Sequence, residues 1–144
     1  HLIRRAQQIA VSMFHLEMGT EVTPIQYALL RMLQERPGID QVTLAGLVAL
    51  DNSSTAATAA RLEAKGWITR EPSAADRRQR VLRLTREGAR LLDRLVPAVH
   101  RLQDSMLGPL SDAERGRFLA LLRKFVRLHN DQSRAPLQLD GHDD

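Results

Sequence analysis

Residues 43–85, TLAGLVALDNSSTAATAARLEAKGWITREPSAADRRQRVLRLT, read as two short helices in tandem followed by a β-hairpin. Asp40 stands where a cap for the first of these helices is expected, and Asp51 where one for the second is expected. The first should bury Val42, Ala45 and Val48, with Leu44 and Leu47 at its flanks. The second ends at Gly66, a residue suited to the left-handed turn that closes a helix. Its inward stripe is Thr55, Thr58, Ala59 and Leu62, leaving Ser53, Ser54, Ala57 and Arg61 on the opposite side. Residues 67–71 and 80–84 pair as the hairpin, with Leu82 and Leu84 facing in. The polar tip, residues 72–79, carries Asp76, Arg77 and Arg78, and Arg80 follows it. Asp76 is expected to pair with a neighbouring arginine and stiffen the tip. A helix-turn-helix with a basic wing can place its second helix in a DNA major groove and an arginine on the backbone or in the minor groove. Small side chains on that helix let it approach base edges and thymine methyls. Asn52, Arg61 and the serine hydroxyls are the hydrogen-bonding groups there.

Helical patterns flank this stretch on both sides. Residues 2–17 place Leu2, Ile3, Ala6, Ile9, Ala10, Met13, Phe14 and Leu16 at helical spacing. Thr23-Pro24-Ile25-Gln26 opens a second helix as a capping box, with Val22 and Tyr27 at staple positions, and Pro37-Gly38 stops it. Thr85 starts a long helix to about residue 107 whose apolar side is Leu92, Leu95, Val96, Val99, Leu102 and Met106; Pro97 inside it predicts a kink. Ser111 and Glu114 form another capping box, opening a helix to about residue 130 striped by Phe118, Leu121, Leu122, Phe125 and Leu128. The fold class is therefore mainly α, a winged helix-turn-helix of about six helices and a β-hairpin wing, with long N- and C-terminal dimerisation helices. Residues 1–132 are expected to form one domain. Within it the DNA-binding lobe spans about 40–86, the dimerisation helices 2–36 and 87–132, and a flexible tail of weak order covers 133–144. Dimerisation is the reading of the flanking stripes because they are too apolar and too broad to face water. The alternative is that they cover the core of a single chain.

Composition agrees with this class and removes others. The chain has 144 residues, 43% hydrophobic but only 3% aromatic, and a net charge of +4. Arg70, Arg77, Arg78, Arg80, Arg83 and Arg86 crowd one short window, whereas the last five residues, DGHDD, are acidic. Such a cluster is a solvated face or a seat for a polyanion, and its place on a hairpin after two helices favours the second. With no cysteine there is neither a disulfide framework nor a thiol switch. No apolar run approaches a membrane span and no signal peptide is recognised, so no membrane partner and a cytoplasmic location are expected. The histidines at 1, 15, 100, 129 and 142 lack metal-ligand spacing, and no GxSxG, P-loop, GxGxxG or HExxH occurs. No metal, no cofactor and no enzymatic activity are expected. Two other readings stay open, a winged-helix module that binds protein through its hairpin and an enzyme acting on a small acid.

The order of elements resembles the MarR family of bacterial transcriptional regulators. The residues carrying the resemblance are Thr23-Pro24-Ile25-Gln26-Tyr27, Arg61-Leu62-Glu63-Ala64-Lys65-Gly66-Trp67-Ile68, and Asp76-Arg77-Arg78 running to Leu84-Thr85-Arg86-Glu87-Gly88. The resemblance covers almost the whole chain, and its wing segment is the most specific part. It implies an obligate homodimeric repressor on a palindromic double-stranded DNA operator. Ser53, Ser54, Ala57 and Arg61 would lie in the major groove, Arg78 in the minor groove and Thr43 at a phosphate, while Asp76 shapes the wing. It also implies a small phenolic or aromatic acid as effector. The opening Leu2-Ile3-Arg4-Arg5-Ala6-Gln7-Gln8 is similar to the start of a subgroup sensing aromatic carboxylates, although that subgroup often has His where this chain has Gln7 or Gln8. Arg4 or Arg5 is a candidate partner for a carboxylate, with Gln8 beside them, and His15 and Tyr27 are candidates for a phenol. The bland alternative is surface arginines and a satisfied histidine. The absence of cysteine excludes the family's thiol-oxidation branch.

Overall fold

Two aspartates start the helix pair that defines the fold. In this computed structural model, which describes residues 1–138, the Asp40 carboxylate accepts the amides of Val42 and Thr43 and begins α3, Gln41–Leu47. Asp51 accepts the amide of Ser54 and begins α4, Asn52–Ala64. Each satisfies helix-end donors that have no partner within the helix. At the far end of α4, Gly66 has φ +73°. Its amide reaches the Glu63 carbonyl, and the Trp67 amide reaches the Leu62 carbonyl, closing a complete Schellman turn.

The other helices are α1, Leu2–Met18; α2, Pro24–Glu35; α5, Arg86–Leu107; and α6, Asp112–His129. Thr85 begins α5, its hydroxyl accepting the Gly88 amide while donating to the Gly66 carbonyl. The capping box of α6 forms as read: Glu114 accepts the Ser111 amide and hydroxyl, which hold its carboxyl below its usual pKa. Pro97 lies inside α5.

The sheet has a strand that the sequence reading lacks. β1, Ile39–Asp40, pairs antiparallel with β3, Arg80–Leu84, which also pairs with β2, Ile68–Pro72, giving the order β1-β3-β2. Gly88 fits tightly at the root of this hairpin. A Cβ there would come within 2.2 Å of the Trp67 carbonyl oxygen, so the first turn of α5 can lie against the hairpin only without a side chain.

The chain divides into two compact units. One holds Ile25–Leu92 with the segment from Asn130 onward, and its core gathers Leu29, Leu30, Leu33, Leu44, Leu62, Ile68, Leu82 and Leu91. The inward stripe of α4 is as expected, with Thr55, Thr58, Ala59 and Leu62 all buried. The facing of α3 is corrected. It buries Leu44, Ala45 and Leu47, while Val42 is 58% exposed and Val48 is half-buried. Leu44 and Leu47 lie on one side of the helix with Ala45, and this side packs on α4 and the sheet. After a 3₁₀ turn at Asn130–Gln132, the Asn130 side chain brackets the backbone of Leu137, and the Gln138 amide donates to the Gly46 carbonyl. The rest of the expected tail, residues 139–144 with the acidic end, lies outside the described residues.

The other unit is His1–Pro24 with Asp93–His129. Arg101 pairs with Glu17 at 2.9 Å and Arg94 with Glu21 at 3.4 Å, tying α5 to α1 and to the turn after it. The apolar side of α5 is also corrected. Leu91, Leu92, Leu95 and Ala98 are buried along the helix, whereas Val96 and Met106 are exposed. The stripe of α6 exists but is open: Phe118, Leu121, Leu122, Phe125 and Leu128 are 47–65% exposed.

Candidate nucleic-acid interface

The exposed side of α4 is built from its cap outward. Asp51 receives the Ser54 amide at 2.8 Å, the Ser53 hydroxyl at 2.6 Å and the Ser54 hydroxyl at 2.7 Å. The Ser53 hydroxyl, then the Ser54 amide and hydroxyl, hold the Asp51 carboxyl well below the usual carboxylate range. Ser53, Ala57 and Arg61 follow at four-residue intervals, all exposed, so one ridge of the helix shows two small side chains and one guanidinium. Asn52 is exposed at the first helical position and Ser54 is half-buried beside it.

Thr43, at the start of α3, repeats the arrangement. Its hydroxyl donates to Asp40 at 2.5 Å and its amide to the same carboxylate at 2.9 Å. Burial pushes the Asp40 pKa up, but these bonds with that of the Val42 amide outweigh it and the net shift is downward.

The wing tip is ordered by its own backbone. The Ser73 amide bonds the Gln79 carbonyl, the Gln79 amide bonds the Asp76 carbonyl, and Ser73 Oγ accepts the amides of Ala75 and Asp76. Asp76 stiffens the tip by accepting the Arg78 amide at 2.9 Å. The expected pairing of Asp76 with an arginine side chain is thus corrected to a backbone bond, an Asx-type turn that a two-residue spacing makes easy. Arg77, Arg78 and Arg80 are left exposed. Among the described residues these three and Arg61 have no carboxylate partner. Arg70 differs, placing Nε 2.8 Å and Nη2 2.7 Å from Glu63 Oε2, which fastens strand β2 to α4. All ten candidates for this face, from Thr43 to Arg80, lie in one compact unit.

The ligand candidates are divided between the two units. Arg4 donates to Gln8 at 3.0 Å on α1, and Arg5 and Gln8 line a shallow depression with Ile9, Ser12 and Met13. His15 is exposed farther along α1, its Nδ1 3.3 Å from the Gly19 carbonyl oxygen. Tyr27 belongs to the other unit, where burial raises its pKa. Among the described residues no group of three or more His, Asp or Glu side chains could hold a metal. No described helix is long and apolar enough to cross a membrane.

Residues 22–79 match the MarR family, and the transcriptional regulator HosA of Escherichia coli is 36% identical over 106 residues, 74% of this chain and 78% of that protein. The chain belongs to the MarR family. It is a DNA-binding transcriptional regulator of the MarR type, and not an enzyme. Two solved MarR-type structures align along most of its length. The PcaV regulator of Streptomyces coelicolor, in complex with its natural ligand, has 35% identity and a TM-score of 0.85, covering 88% of this chain and 90% of that one. The transcriptional repressor CouR, bound to a 23-mer DNA duplex, has 28% identity and a TM-score of 0.81 over 88% and 90%. Two residues have roles here that their spacing alone does not give. Asp51 was visible only as a cap, although a serine two and three positions on is the signal that its carboxylate would hold hydroxyls as well as an amide. Glu63 was visible only within a motif, and nothing in the sequence joins it to Arg70 before the hairpin is folded.

Proposed function

We propose that this MarR-family chain is a homodimeric repressor of a palindromic operator, released by a small aromatic or phenolic carboxylate. The observation carrying the DNA reading is one compact unit that exposes the small-residue ridge of α4 together with wing arginines that have no carboxylate partner among the described residues. In this reading Asn52, Ser53, Ser54, Ala57 and Arg61 face the major groove. Arg78, held by the Asp76 turn, enters the minor groove, with Arg77 and Arg80 beside it at the DNA, and Thr43 sits beside the backbone. Two chains related by a two-fold axis set their recognition helices about one DNA turn apart, ~34 Å. CouR on a DNA duplex supports this use of the fold.

The ligand reading rests on the depression lined by Arg5 and Gln8 on α1, with Arg4 alongside. A guanidinium suits a carboxylate, and Ile9 and Met13 supply apolar surface for a ring. His15 and Tyr27 remain candidates for a phenolic hydroxyl, and PcaV with its natural ligand supports an effector of this general kind. Release requires only that the ligand prefer the DNA-incompetent state by a few kcal/mol. A bacterial cytoplasm is the compartment this role needs.

A mobility shift on the DNA upstream of the protein's own coding region tests both parts, with a panel of aromatic acids and their CoA thioesters added. A specific shift reversed by one compound is expected. A specific shift that no compound reverses removes the ligand reading and leaves the repressor. Binding there no stronger than to random DNA at low salt counts against an operator at that place.

A further inference from the structure

A serine hydroxyl has one proton and two lone pairs, so what it can offer a base depends on where that proton already is. On α4 both protons are committed. Ser53 donates to Asp51 Oδ1 and Ser54 to Asp51 Oδ2, at 2.6 and 2.7 Å. What remains outward from each oxygen is lone-pair density. Thr43 donates to Asp40 in the same way at the start of α3, so both helices of the motif begin with a carboxylate that collects hydroxyl protons.

Major-groove edges sort sharply against such an acceptor. Adenine N6 and cytosine N4 carry amino groups that donate, while guanine N7 and O6 and thymine O4 only accept. Turning a serine round to donate to guanine or thymine would break a bond to an ionised carboxylate in exchange for a neutral one. The charge-assisted bond is roughly twice as strong, so the exchange is unfavourable. We infer that Asp51, without touching DNA, is a specificity-determining residue: by holding the protons of Ser53 and Ser54 it makes them read adenine or cytosine, and not guanine or thymine, on the strand they face. This rests on the proposal that α4 is the recognition helix. Asp51 acts through the serines and is a positioning residue.

The test uses the full chain and a randomised DNA duplex library. Selection with the wild type and with a Ser53→Ala/Ser54→Ala variant identifies the base positions that depend on the serines. Each base pair there has one amino-bearing base in the major groove, adenine or cytosine, and that base marks the strand the serines should face. Replacing these bases by purine or pyrimidin-2-one, which lack the amino group, should weaken binding about tenfold. Replacing purines there by their 7-deaza forms, which removes N7, should leave binding unchanged. The Asp51→Asn variant keeps a side chain that caps helices as well as aspartate does. Its amide offers one acceptor oxygen in place of two, so at least one serine regains a free proton. Selection with Asp51→Asn should therefore admit guanine or thymine at the serine-dependent positions, cutting discrimination about tenfold while the thermal midpoint stays within a few degrees.

If selection returns the same sequence for the serine variant as for the wild type, the serines read no base and the role of Asp51 is overturned; if an Asn52→Ala/Arg61→Ala variant returns it too, the recognition-helix proposal fails as well. If removing the amino group at the serine-dependent positions leaves binding unchanged, or losing N7 there weakens it, or Asp51→Asn keeps the wild-type preference, the recognition helix stands and the role of Asp51 is overturned.

Discussion

Thr55 is fully buried on the inward side of α4, and its hydroxyl oxygen has no hydrogen-bond partner among the described residues. A buried polar group left unmade costs about 1–3 kcal/mol, whereas an apolar group of the same shape costs nothing of the kind. Thr55→Val keeps the β-branched shape and the helix propensity while replacing the hydroxyl by a methyl. It is expected to raise stability by about 1 kcal/mol in urea unfolding, with operator affinity unchanged because the side chain faces the core. A loss of stability in that measurement would show that the hydroxyl is satisfied in solution. The inward position of Thr55 was readable from its spacing with Thr58, Ala59 and Leu62. Its missing partner was not, because that depends on which atoms the neighbouring elements bring near. Cap residues were the most legible of all. Asp40, Asp51 and Ser111 act on amides two or three positions away, a range the sequence contains in full. Asp76 was half legible: its stiffening role was read, but the local backbone amide of Arg78 reaches it where a long, hydrated guanidinium does not.

Elements were legible where they are long and ambiguous where they are short. α3 has only seven residues, and its apolar positions 42, 44, 45, 47 and 48 encircle it, so periodicity cannot choose a face. Contact with α4 and the sheet chooses Leu44 and Leu47. The two residues of β1 are likewise too few for any alternation, and Ile39–Asp40 becomes a strand only because β3 offers it an edge. The union of α4 with the wing is also settled by tertiary structure, through Glu63 and Arg70, whose side chains are 39% and 25% exposed. Two guanidinium nitrogens on one carboxylate oxygen, partly shielded, should couple by about 1 kcal/mol, the upper end for exposed pairs. A double-mutant cycle with Glu63→Gln and Arg70→Gln, read by thermal unfolding, measures that coupling. Because the pair sets the wing against α4, the proposed recognition helix, each single variant should also weaken operator binding, and the double variant little more than either one. Strictly additive effects on both stability and binding would mean that the two elements hold their arrangement without the pair.

At the scale of the whole molecule, α6 poses the question that one chain cannot answer for itself. It has no buried residue, yet its stripe of Phe118, Leu121, Leu122, Phe125 and Leu128 was readable at helical spacing and is present as read. Exposed apolar surface on this scale marks an interface. α1 adds Leu2, Ile3, Ile9 and Leu16, all exposed in the same compact unit. A second copy of the chain is the partner that the MarR reading supplies, and two-fold symmetry lets one stripe meet its equivalent. Replacing Leu121 and Phe125 together by glutamate puts unpaired charges into such a contact, where their desolvation opposes association. Sedimentation equilibrium is expected to show a dimer for the wild type and a monomer for the double variant. The unit carrying α3, α4 and the wing contains neither residue, so its fold should survive in the variant, and the thermal transition reports on this directly. Operator affinity should then fall by a factor of about 10²–10⁴, because each half-site is bound without the effective concentration that a linked second site provides. Binding to random DNA at low salt should fall far less, since the phosphate contacts of a single lobe remain. A double variant that stays dimeric, or a monomer that binds the operator as tightly as the wild type, would separate the apolar stripe of α6 from the way this regulator holds its DNA.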